Sequence, residues 1–189
     1  MRLCPNLPLR LPRAIALTLV LLFAGSCSPA GDGGSPAPDS ATTWLIVRHA
    51  EKAAEPADDP PLTEQGAARA ATLARMASAS GVTAVYATQY LRTQHTVEPA
   101  AEQLGLEVQT TDAAELDALI DQVFSQHGGQ TVLAAAHSNT VPMLVEKLTG
   151  SPAPPIEEHV YDSFYVVTAW GEGQGKAVLL RYGAPSAPL

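Results

Sequence analysis

Four side chains in this sequence suit one kind of chemistry: Arg48, His49, Arg92 and His137. Each follows a short apolar stretch or opens the segment after one. Arg48-His49 comes directly after a run ending at Val47. Thr88 and Gln89 follow a second such run and lead into Arg92. His137 follows the run TVLAAA and precedes Ser138-Asn139-Thr140. Arginine presents a planar fork of donors that matches the oxygens of a phosphate or carboxylate. A neutral imidazole can attack phosphorus and carry the phosphoryl group. A helix beginning after Asn139 would add free backbone N–H groups to the same place. Taken alone, each residue has a plainer reading: a solvated charge, a satisfied histidine, a helix-surface arginine. Taken together, they describe an anion site.

Such a site needs elements that bring distant residues to one edge. Thr43 to Val47, Val82 to Ala87, Glu107 to Gln109 and Thr131 to Ala136 read as short buried strands. Thr63 to Ala79, Leu91 to Leu104, Ala114 to Gln126 and Thr140 to Leu148 read as helices, with Thr63 as an N-cap and Gly105 as a C-cap. Pro99 falls inside the second helix and predicts a bend there, whereas Pro142 lies in a first turn, where proline is tolerated. Phe164 to Thr168 and Ala177 to Arg181 read as two late strands, close enough to pair across the glycines between Gly171 and Gly175. Alternating strands and helices predict a three-layer α/β/α sandwich on a mostly parallel sheet. In such sheets ligands bind beyond the carboxyl ends of the strands, and those ends carry the two arginines and two histidines.

The motifs around these residues resemble the histidine phosphatase, or phosphoglycerate mutase-like, superfamily. Arg48-His49-Ala50-Glu51 is similar to its RHG signature, and Leu62-Thr63-Glu64-Gln65-Gly66 to its L-T-x-x-G motif. Ala87 to Thr96 resembles its arginine block, and Ala136-His137-Ser138-Asn139 its second-histidine motif. Ala50 and Ala136 stand where glycine is usual, and Thr88 where serine is. The resemblance covers nearly all of Thr43 to Tyr182, in the family's order. It implies that His49 is a nucleophile forming a phosphohistidine, and that Arg48, Arg92 and His137 hold the phosphoryl oxygens. It also implies a carboxylic acid that protonates the leaving oxygen, after the arginine block. The candidates are Asp112, Glu115, Asp117 and Asp121, with Glu115 or Asp112 favoured because they precede or open a helix. Lys52 and Asn139 flank the motifs, and Asn139 is a candidate substrate contact. Glu51 reads as a supporting partner rather than an acid.

The function implied is hydrolysis of phosphomonoesters or phosphoramidates without a cofactor or metal, in the manner of a small phosphatase of the histidine acid phosphatase type with an open site. Phosphoglycerate mutases carry extra segments over their substrate, and no long insertion separates the motifs here. Two rivals stand beside this reading. One is a non-catalytic envelope lipoprotein that binds phosphorylated ligands, which the retention of both histidines and both arginines disfavours. The other is a metal hydrolase using His49 and His137, for which three or more convergent ligands would be expected.

The N-terminus predicts export. Arg2, Arg10 and Arg13 precede the apolar run Ala14 to Ala24, and small residues follow. The run is shorter than the about 20 apolar residues that span a bilayer. Ala24-Gly25-Ser26-Cys27 resembles a bacterial lipobox, so Cys27 is the expected lipidation site and a membrane anchor in the cell envelope. The expected layout is a signal peptide at 1–26, a lipidated cysteine and a Gly-, Ser- and Pro-rich linker at 27–42, a domain at 43–183 and a tail at 184–189. The chain has 11 basic and 19 acidic residues. Without the three leader arginines the balance is 8 against 19, a net of −11. That disfavours nucleic-acid binding through a broad basic surface. The expected partner is a small phosphorylated substrate in a local positive pocket. Cys4 and Cys27 are the chain's two cysteines, so a mature domain holds no internal disulfide.

Overall fold

The computed structural model describes residues 40–186. The expected signal peptide, Cys27 and most of the linker lie outside them. Six strands form one sheet: β1 (Thr42–Arg48), β2 (Val82–Thr88), β3 (Val108–Thr111), β4 (Thr131–Ala136), β5 (Ser163–Ala169) and β6 (Gly175–Arg181). Four helices alternate with the early strands: α1 (Glu64–Ser78), α2 (Leu91–Leu104), α3 (Leu116–His127) and α4 (Thr140–Thr149). The strand order is β3-β2-β4-β1-β5-β6. β3, β2, β4 and β1 run parallel, whereas β5 is antiparallel to β1 and forms the expected pair with β6.

β1 lies inside the sheet, between β4 and β5, and its sequence fits that place. Trp44 and Ile46 face one core, with Ile120, Val132, Leu144 and Tyr165. Leu45 and Val47 face the other, with Leu73, Val85, Val97 and Leu133. An unbroken apolar run is what a strand covered on both faces requires. Helices α3 and α4 supply the first core, and α1 and α2 the second, which completes the expected three layers.

The helices follow from their local sequence. α1 is capped by Thr63, whose hydroxyl accepts from the Gly66 N–H at 3.1 Å, and it buries Ala70, Leu73, Ala74 and Ala77. α2 runs unbroken from Leu91 to Leu104 with Pro99 inside it, and ends at Gly105 in the left-handed conformation, φ 67°. α4 buries Val141, Leu144, Val145 and Leu148, one stripe at helical spacing. Three boundaries differ from the sequence reading. β1 starts at Thr42, which is fully buried, so the linker ends a residue earlier. β3 runs over Val108–Thr111 because it pairs with Val85 to Thr88 of β2, and a register is set by the partner strand. α3 begins at Leu116, because Asp112 to Ala114 turn first and the Asp112 carboxylate accepts from the Ala114 N–H at 2.9 Å. The C-terminal residues also extend the domain: the Ala184 carbonyl accepts from Arg69 at 2.8 Å, and the Ser186 hydroxyl accepts from the Tyr161 N–H at 2.8 Å.

Candidate active site

The parallel register brings the two histidines side by side. Arg48, the last residue of β1, pairs with Ala136, the last residue of β4. The next residues are His49 and His137. The His49 N–H extends the ladder by donating to the Ala136 carbonyl at 2.9 Å, and the two rings stand edge to face with centroids 5.5 Å apart. β2 lies on the far side of β4 and contributes Thr88, whose Oγ1 is 3.0 Å from His137 Nε2 and 2.8 Å from Thr93 Oγ1 at the start of α2. Thr88 therefore fills a serine's place without losing the hydroxyl. The same first turn of α2 carries Arg92. A cleft of about 570 Å³ opens over these residues, lined by Arg48, His49, Arg92, His137 and Asn139 among others.

His49 is 3% exposed, and its Nδ1 lies 2.8 Å from the Ala50 carbonyl oxygen. A carbonyl only accepts, so Nδ1 carries the proton and Nε2 keeps its lone pair. Ala50 is fixed in turn, because its N–H donates to Thr96 Oγ1 at 2.8 Å, and Thr96 donates to the Arg92 carbonyl at 2.6 Å. Burial, reinforced by Arg48, His137 and Arg92, pushes the His49 pKa down to about 3. His137 is pushed down to about 4 by burial and then by Arg92, Arg48 and Lys52. Both rings are neutral near pH 7.

The arginines are positioned by contacts that leave part of each fork free. Arg48 Nη1 donates to the carbonyls of Glu157, Glu158 and Val160 at 2.9, 2.8 and 3.1 Å. Its guanidinium lies 4.3 Å from the Tyr161 ring centroid, and that of Arg92 lies 4.3 Å from the Tyr90 ring. Asp59 approaches Arg92 at 3.7 Å and also accepts from the Leu91 N–H at the start of α2. The Nε–H of Arg48 and that of Arg92 are buried and unpartnered. Both arginines line the cleft, where an anion of several oxygens would meet two guanidinium groups.

The structure does not bring the expected acids into this cleft. Ala113, Ala114 and Leu116 line it, whereas Glu115 is exposed at the end of the turn and does not. Asp112 is turned back onto the Ala114 N–H, Asp117 pairs with Lys147, and Asp121 is exposed. The turn before α3 shows the cleft its small residues and turns its carboxylates away. The carboxylate that does line the cleft is Glu158, between α4 and β5, which sequence reasoning missed. Tyr90 and Tyr161 were missed as well. Each is close in sequence to a residue that was found or to a strand start, but no spacing marked them as platforms for an arginine. Lys52 is exposed at the cleft wall. Glu51 instead grips Arg69, at 2.7 Å from Nη2 and 3.0 Å from Nε, as a supporting partner. Among the described residues, no three His, Cys, Asp or Glu side chains come together as a metal-binding group.

An α/β sandwich with a histidine-and-arginine anion cleft at the carboxyl ends of its parallel strands defines the class of protein. Residues 44–117, which carry Arg48, His49 and Arg92, match the family model of the histidine phosphatase superfamily (branch 1). No curated protein sequence matches the chain significantly. Solved structures share the fold. A protein from Nakamurella multipartitia assigned as the phosphohistidine phosphatase SixA is 22% identical, with a TM-score of 0.57, over 80% of this chain and 100% of its own. The protein histidine phosphatase SixA complexed with tungstate is 22% identical, with a TM-score of 0.55, over 76% and 97%. The mycobacterial glucosyl-3-phosphoglycerate phosphatase is 12% identical, with a TM-score of 0.58, over 76% and 99%.

Proposed function

We propose that the chain is a phosphatase that hydrolyses phosphomonoesters or phosphoramidates through a phosphohistidine on His49. The observation that carries this reading is the tautomer of His49: with Nδ1–H held by the Ala50 carbonyl, Nε2 keeps its lone pair, in a cleft that Arg48 and Arg92 also line. In the first step the Nε2–P bond forms and the bond from phosphorus to the leaving group breaks, with the leaving group taking a proton from solvent water. In the second step water attacks phosphorus, the P–N bond breaks, and phosphate leaves with His49 neutral again. Arg48 and Arg92 supply their free N–H groups to the phosphoryl oxygens in both transition states. Burial first, and then the charges of Arg92, Arg48 and Lys52, hold down the pKa of His137, and a bound phosphoryl dianion offsets only the second of these.

The named relatives suggest a range of substrates, from phosphohistidine in a protein to a phosphorylated sugar acid. The cleft's small size fits a phosphoryl group on a modest or protruding carrier. At the N-terminus, the lipobox-like segment supports a second part of the proposal: an exported domain tethered to the envelope membrane through Cys27. The reading is tested with a generic aryl phosphate and the full chain. Activity is expected for the wild type, and His49→Ala should lower kcat by about three orders of magnitude or more. Equal turnover by the two proteins would remove His49 as the nucleophile. Rapid quenching into alkaline detergent, which preserves the acid-labile P–N bond, would trap a phosphoryl label on the wild type and none on His49→Ala.

A further inference from the structure

We propose that Glu158 is a built-in occupant of the anion cleft, a carboxylate that an incoming phosphoryl group displaces from Arg48 and that thereby selects which anions bind. The inference rests on the cleft being a phosphoryl site. Glu158 Oε2 lies 3.0 Å from Arg48 Nη2, and Oε1 accepts from the Ser138 hydroxyl at 2.7 Å. Ser138 follows His137 directly, so the carboxylate spans the ends of β1 and β4, the two strands that present the histidines. It is also the cleft's one lining carboxylate among the described residues.

Arg48 is 1% exposed, and a buried guanidinium without a counter-ion is costly. Glu158 meets that need while the cleft holds no substrate. Removing it would not release the arginine, because three backbone carbonyls and the Tyr161 ring hold Arg48 independently. The Glu158 side chain is 81% exposed, so its swing into water is cheap. Arg48 therefore stays aimed while its partner exchanges.

The exchange favours phosphate over weaker anions. A carboxylate ligand brings no more charge than Glu158 and competes against a group held at high local concentration. A phosphoryl dianion brings more charge and more oxygens, and it meets both Arg48 and Arg92, which line the cleft. Glu158 is thus a specificity-determining residue, acting by competition rather than by contact with the reacting atoms.

The test is a titration of full-length protein with inorganic phosphate, by calorimetry and as a competitive inhibitor of aryl phosphate turnover. Glu158→Gln keeps the shape and the bond to Ser138 but loses the charge. Glu158→Asp keeps the charge but is too short to span Arg48 and Ser138 together. Both variants are expected to bind phosphate about three- to ten-fold more tightly than wild type, with KM falling by the same factor. A gain in Glu158→Gln alone would mean simple removal of a nearby charge and would overturn displacement. Unchanged or weaker phosphate binding in both, with native melting curves, would reduce Glu158 to a structural strap. A loss of kcat at unchanged KM would make it a proton donor and also overturn the proposal. Because phosphate binding is read without turnover, an inactive protein that still shows these shifts would refute the phosphatase reading and leave the competition standing.

Discussion

At the scale of single residues, the site is governed by what burial does to two imidazoles. An unperturbed histidine titrates near 6.5, yet His49 is held down to about 3 and His137 to about 4. The free protein thus keeps His49 unprotonated throughout the neutral and mildly acid range. The expected kcat/KM profile, which reports free-enzyme ionisations, has no acid limb from His49 between pH 8 and 5. A limb near pH 6.5 that moves on mutation of His49 would contradict this. The same shifts bear on stability. Below pH 6.5 the unfolded chain takes up protons that the native histidines refuse, so stability is complete above 6.5 and declines as pH falls towards 3. His49→Gln is expected to lose less melting temperature than wild type between pH 7 and 4, measured by thermal unfolding across that range.

At the scale of elements, the loop–helix joint at α1 explains why a glycine stands at position 66. A Cβ there would come within 2.3 Å of the Glu51 carbonyl oxygen, a backbone atom that cannot swing aside. The Thr63 N–H also donates to that carbonyl, at 2.9 Å. Thr63 starts the helix and Gly66 lets it pass close to the chain that has just left His49. Alanine would otherwise favour a helix, but Gly66→Ala is expected to cost about 2 kcal/mol and to lower kcat by shifting Glu51 and, through it, Ala50. Denaturant melts alongside kinetics would show both; an unaffected or stabilised variant would mean the approach is looser than described. This joint also shows what was legible in the sequence. The strands, the Thr63 cap, the Gly105 cap and all four anion-site residues could be read because each depends on local spacing or on position at a strand end. Glu158 could not, because the segment between α4 and β5 has no periodicity and its place depends on where Arg48 reaches across more than a hundred residues of chain. The turn before α3 is illegible for a related reason: that Ala113 and Ala114 line the cleft while Glu115 is exposed depends on tertiary placement that no local spacing sets.

At the scale of the whole molecule, Arg69 ties three distant parts together. It is 2% exposed, pairs with Glu51 behind the nucleophile, and donates to the carbonyls of Tyr182 and Ala184 near the C-terminus at 2.7 and 2.8 Å. Helical spacing puts Arg69 on the buried stripe of α1 with Gly66, Ala70, Leu73 and Ala77, whereas Arg75 lies on the exposed face. Removing one partner of a buried pair leaves the other uncompensated, so Arg69→Met is expected to cost about 3–5 kcal/mol. Adding Glu51→Gln should restore part of that loss. Urea denaturation of the two single variants and the double variant checks this, and strictly additive losses would show that the pair is not coupled.

β1 has a consequence for how the chain is made. It is the first strand to be synthesised, and its partners are Thr131 to Ala136 on one side and Phe164 to Ala169 on the other. For most of the time the ribosome is at work, the apolar run Trp44 to Val47 has neither strand neighbour, and only α1 and α2, which cover one of its faces, are made before β4. A polypeptide built this way cannot close its centre until β5 is made, and an unpaired apolar strand is open to wrong pairing until then.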